Sequence, residues 1–96
     1  MTKSQKAKCR KIAETYGLRN QETQAVSELT ELQYVLTRRP NQRTTNWKDQ
    51  LVDEIADVRI MCRQLQTLYD IDDETINEKI DYKLNRQIGR IKEEKT

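Results

Sequence analysis

The chain has no histidine and no phenylalanine, and it contains only two glycines, one proline, two cysteines and one tryptophan. Without histidine, general acid–base chemistry near pH 7 falls to a carboxylate or to metal-bound water. Neither a Ser-His-Asp arrangement nor a Cys-His zinc site can be assembled. So little Gly and Pro leaves few of the breaks that a β-rich fold needs, and no Gly-rich phosphate loop occurs. No apolar run approaches the ~18 residues of a membrane span, and the first residues lack the apolar core of a signal peptide. The expectation is a cytoplasmic protein that neither spans nor enters a membrane. In that reducing setting Cys9 and Cys62, each on an apolar helical stripe, are expected to be buried free thiols.

What is present is charge. Of the 96 residues 35% are charged and 34% hydrophobic, which predicts one domain, residues 1–96, at the small end of what can bury a core alone. Such a chain is expected to complete its core by homo-oligomerisation. The net charge of +2, from 18 basic and 16 acidic residues, argues against nucleic acid as a partner. The lopsided stretch Lys3 to Lys11 reads as a solvated helix face, with a phosphate-contacting arm as the alternative.

The periodicity predicts an all-α fold, an antiparallel helical bundle of about four helices. Cys9, Ile12, Ala13 and Tyr16 mark a first helix over about 4–16, stopped by Gly17. Asn20 is the expected N-cap of a second helix, with Glu22 in its first turn, running to about Arg38 ahead of Pro40. Residues 38–46 are polar, basic and aperiodic, a candidate mobile loop. Asn46 or Thr45 should cap a third helix reaching about Tyr69, and Asp72 a fourth, with Ile71 spaced to staple onto Ile76. Residues 92–96 read as a frayed tail.

The chemistry lies in the second and third helices. At about 100° per residue, Ala25, Leu29, Leu32 and Leu36 form one apolar stripe, with Glu28 and Glu31 roughly 60° and 120° to one side. Leu51, Ile55, Val58, Cys62, Leu65 and Tyr69 form the other, and Glu54 and Asp57 take the same two offsets on the same side. One acidic i,i+3 pair is ordinary solvated surface in so charged a chain. Two matched pairs predict a four-carboxylate seam. At ~5 Å and an effective dielectric of about 20, each like-charge contact costs roughly 3 kcal/mol, so a cation is required. An all-oxygen donor set suits Mg²⁺ or Mn²⁺ better than zinc. In the fourth helix Ile76, Ile80, Leu84, Ile88 and Ile91 form an apolar stripe beside Lys79, Lys83, Arg86 and Arg90. That basic face is either merely solvated or set to hold a polyphosphate whose other side is held by metal.

Glu28-x-x-Glu31, 22 intervening residues, Glu54-x-x-Asp57 and a C-terminal helix with Lys83-Leu-Asn-Arg86 resemble the MazG-like all-α nucleoside triphosphate pyrophosphohydrolases. Tyr16-Gly17-x-x-x-Gln21 is similar to the segment that leads into the motif in the compact bacterial and phage members, and the likeness covers about residues 12–91. The resemblance implies a dimeric or tetrameric helical bundle that binds Mg²⁺ through Glu28, Glu31, Glu54 and Asp57 and cleaves a nucleoside triphosphate to the monophosphate and pyrophosphate. One of the four acids would also orient or deprotonate the attacking water. Lys83 and Arg86 would hold phosphate oxygens, and Gln21 would contact the nucleotide or support the site. Ser27 departs from the many members that carry a further Glu there, and this bears on turnover. The related phosphoribosyl-ATP enzymes follow the second motif with a Tyr-His pair, where this chain has Arg59-Ile60-Met61-Cys62 instead. Trp47 and Tyr34 are candidates for stacking a base, with packing the plainer role of each. The alternative function is a non-catalytic helical interaction or regulatory protein that binds nucleotide or nucleic acid.

Overall fold

A computed structural model of the chain describes residues 1–95, and the expected fraying of Thr96 lies outside them. Four α-helices follow in order: α1 (Lys3–Tyr16), α2 (Leu18–Thr37), α3 (Trp47–Leu68) and α4 (Asp73–Lys95), with a 3₁₀ turn at Pro40–Gln42. No strand occurs among the described residues. None of their helices is long and apolar enough to cross a membrane. α1 starts on a capping box one residue earlier than the periodicity indicates. The Thr2 hydroxyl accepts from the Gln5 N–H at 3.1 Å, and Gln5 Oε1 accepts from the Thr2 N–H at 2.8 Å.

Gly17 is the whole joint between α1 and α2. Its φ of 83° is open to glycine and strained for other residues, and its N–H closes α1 on the Ala13 carbonyl at 2.9 Å. α2 therefore starts at Leu18, and Asn20 is not its N-cap. Asn20 donates instead to the Tyr16 carbonyl at 2.9 Å, closing the end of α1, and Glu22 falls beyond the first turn.

Contacts at both ends make α2 and α3 antiparallel. Trp47 Nε1 donates to the Val35 carbonyl at 2.9 Å, and at the other end the Tyr69 hydroxyl donates to Glu22 at 2.6 Å. The connecting segment is tied down as well: Arg43 donates to the Arg38 carbonyl at 3.0 Å and its guanidinium stacks 3.8 Å from the centre of the Trp47 ring. Trp47 thus serves packing, as the plainer reading has it, while Tyr34 lies exposed under Arg38.

The helices are rotated from the expected stripes. On α2 the inward face is Gln21, Ala25, Glu28, Leu32 and Val35, and on α3 it runs through Glu54, Asp57, Met61 and Gln64. Leu29, Leu36 and Ile55 are left 53%, 52% and 43% exposed. The turn is roughly 50° for α2 and roughly 100° for α3, and it moves Glu28, Glu54 and Asp57 from the edge of the buried face to its middle while Glu31 stays exposed. Cys62, expected to be buried, is exposed, whereas Cys9 is buried; both are free thiols.

α1, α2 and α3 pack on one another, but α4 packs along none of them. Its 23 residues include no buried one. Asp72 caps it as expected, accepting from the Thr75 N–H at 2.8 Å. Asp73 then moors it, taking Lys6 at 2.8 Å, Arg63 at 2.6 Å and Gln66 at 3.1 Å. Residues 92–95, read as a frayed tail, continue the helix, since basic Lys92 and Lys95 suit its negative C-terminal end. The radius of gyration is 16.7 Å, against about 12–13 Å for a compact chain of this length, which is the signature of a helix standing clear of the bundle.

Candidate metal centre

The antiparallel register brings the acids together two by two. Glu28 of α2 sits beside Asp57 of α3, and Glu31 beside Glu54, close enough for each α2 acid to push up the α3 acid it faces. Glu28, Glu54 and Asp57 each offer an oxygen within 4.8 Å of the others. Glu31 lies outside that group of three but belongs to the cluster through Glu54.

The two α3 acids resist ionisation. Burial pushes the Glu54 carboxyl up from 4.5, and the charges of Glu31, Asp57 and Glu28 push it further. Asp57 is raised from 3.8 by burial first, then by Glu28 and by Asp53. Among the described residues neither acid has a cationic partner. One oxygen of Glu28 and one of Glu54 are buried without a hydrogen bond, each at a cost of about 1–3 kcal/mol or more for a charged group. On α2, Gln24 donates to Glu28 at 2.8 Å. Carboxylate oxygens without His or Cys form a donor set for a hard divalent cation, Mg²⁺ or Mn²⁺.

A cavity of about 410 Å³ opens beside the acids, lined by Glu28 and Asp57 and, from the three packed helices, by Ile12, Tyr16, Gln21, Ile60, Met61 and Gln64 among others. Gln21, singled out from the resemblance, is 5% exposed, and Gln64, which sequence reasoning passed over, is 2% exposed; Oε1 of each is buried and unpartnered. The signal for Gln64 was present. It lies seven residues beyond Asp57, on the same face, as Gln21 lies seven before Glu28, but it was invisible while the apolar stripe was taken as the buried one.

The basic residues of α4 are elsewhere. Arg59, Cys62, Arg63 and Gln66 of α3 border the cleft into which Asp73, Ile76 and Ile80 of α4 set off. That side of α3 is nearly opposite Glu54 and Asp57 at about 100° per residue. Lys79, Lys83, Arg86 and Arg90 therefore lie outside the cavity that the acids line. Ser27 is exposed. No family model, no curated protein and no solved structure matches the chain.

Proposed function

We propose that the protein is a Mg²⁺-dependent nucleoside triphosphate pyrophosphohydrolase of the MazG-like kind, cleaving between the α and β phosphates with water to release pyrophosphate. The observation that carries this reading is the convergence of Glu28, Glu54 and Asp57 from two helices, with one buried oxygen of Glu28 and one of Glu54 that no described residue satisfies. A divalent ion held there would neutralise phosphate charge and lower the pKa of a bound water. Glu31 adds its charge to the cluster beside Glu54. Gln24 fixes the orientation of Glu28.

Phosphate contact by Lys83 and Arg86, flanked by Lys79 and Arg90, fits this reading through a second copy. The chain's own α4 leaves on the far side of α3, so a partner's α4 would supply the basic face. Self-association, as a homodimer or homotetramer, is part of the proposal. It is supported by the apolar side chains left outside: Leu29, Leu36, Val52 and Ile55 on α2 and α3, and Ile80, Leu84 and Ile88 on α4. Leu29 and Ile55 are offset from the acids in the same rotational sense, which on antiparallel helices puts them on one side of the pair.

Pyrophosphate release from a panel of NTPs and dNTPs with Mg²⁺ and with Mn²⁺ tests the reading. Release by the wild type and its loss in Glu54→Gln is the expected result. A folded, metal-binding protein that releases none from any nucleotide would end the catalytic reading. Nucleotide binding without turnover would then stand, the alternative that Ser27 in place of a frequent glutamate favours.

A further inference from the structure

The cavity beside the carboxylates has polar groups with no task in the bundle. The register that sets Glu28 against Asp57 and Glu31 against Glu54 continues for two helical turns and sets Gln21 against Gln64. Each carboxamide is more than nine-tenths buried, each lines the cavity, and neither Oε1 has a partner. Buried amides in native cores are bonded, and two unpartnered amide oxygens on residues that line one cavity are an anomaly that a ligand resolves. Elsewhere in the lining Ile12, Ile60 and Met61 supply apolar surface, Asn20 and Gln24 stand with Glu28 and Asp57 as further polar groups, and Tyr16 is 60% exposed. Apolar walls with a few convergent polar groups are the make-up of a small-molecule site.

We infer that this cavity takes the base of the nucleotide, and that Gln21 and Gln64 are the residues that read its edge. A carboxamide offers one acceptor and two donors, and a half-turn of its last torsion exchanges Oε1 for Nε2 at the cavity surface. It therefore matches the adjacent donor and acceptor positions on a base edge, as Gln does with adenine elsewhere. The apolar walls accept the two ring faces. Because Glu28 and Asp57 border the same cavity, a base seated on the amides leaves its sugar and phosphates directed to the carboxylate end. The identity of the ligand rests on the nucleotide reading of the acid cluster. The polar floor and its position do not.

The test uses the full chain, ¹⁵N-labelled and without metal, titrated with free nucleosides of all the common bases to millimolar concentration while the side-chain NH₂ signals of Gln21 and Gln64 are followed. Assignment comes from the loss of each pair in Gln21→Met and Gln64→Met. At least one nucleoside is expected to shift both pairs, and its affinity to fall at least tenfold in Gln64→Met, with the Mg²⁺-induced rise in melting temperature retained. A merely structural pair of glutamines would leave those signals still, and signals that no nucleoside moves would overturn the assignment even if both variants failed to fold. Nucleoside affinity unchanged in folded Gln64→Met would overturn it as well. The outcome is separable from that of the pyrophosphohydrolase reading: release of pyrophosphate with immobile amide signals sinks only the base site, and nucleoside binding without release sinks only the hydrolysis.

Discussion

Glu54 is held between burial and three carboxylates, and that position has a measurable sign. Its folded pKa lies above the ordinary 4.5, so the unfolded chain gives up this proton first as pH rises. Ionisation then favours unfolding, and the metal-free protein loses stability between about pH 4.5 and the raised folded value. Glu54→Gln removes that charge. The metal-free variant should therefore melt a few degrees higher than the wild type at pH 7, on the scale of about 1 kcal/mol, and should melt with less dependence on pH through that window. Mg²⁺ should raise the melting temperature of the wild type and leave the variant unmoved. A variant less stable than the metal-free wild type at neutral pH would show that the cluster carries no such repulsion. Asp73 is the opposite case. Hydrogen bonds from Lys6 and Gln66 and the charge of Arg63 hold it down at about 2, so it stabilises the fold above the ordinary carboxylate value and ceases to as pH falls from about 4 to about 2. The stability gap between wild type and Asp73→Asn should be open at pH 5 and close across that interval in acid denaturation.

At the level of the helix, the two glycines give substitutions of opposite sign. Gly17 is the one-residue hinge at φ 83°, where an alanine would meet no neighbour within 4 Å but would sit in strained backbone. Gly17→Ala should cost about 1–3 kcal/mol and lower the urea midpoint. Gly89 is an ordinary helical position in α4 with open space around its missing Cβ, and Gly89→Ala should stabilise by up to about 1 kcal/mol. α4 also shows why an amphipathic pattern does not fix a partner. Its apolar stripe was legible at once, yet Leu84 is 59% exposed, because the helix is moored to α1 and α3 through Asp73 in its first turn and packs along no other helix.

For the molecule as a whole, a radius of gyration of 16.7 Å and an α4 without a buried residue leave an uncovered helix for the proposed second copy. If a second copy covers that helix, Leu84→Lys with Ile88→Lys should convert an oligomer into a monomer in sedimentation while leaving α1–α3 folded. Pyrophosphate release should fall with it, because the basic face would no longer reach the acids. If both proteins sediment as monomers, or both as the same oligomer, α4 does not form the interface. Surface substitutions without a partner normally change stability by less than about 0.5 kcal/mol, so retained folding is the expected background.

By itself the sequence settled the all-helical fold, the ends of its longer helices to within a few residues, the capping role of Asp72 and the fact that Glu28, Glu31, Glu54 and Asp57 lie at matched positions on two helices. These are local properties, set by periodicity, caps and the helical repeat. What it did not contain was rotation about the helix axis. On α2, Leu29 and Leu36 compete with Gln21 and Glu28 for the interior, and on α3 Ile55 and Cys62 compete with Asp57 and Gln64. An amphipathic pattern with apolar residues on more than one side is satisfied equally by either choice. Only the antiparallel fit of α2 against α3, with α1 on their flank, decided it, placing acids and amides at the centre, leaving a hydrophobic face outside and sending α4 away from the site its cations were expected to serve.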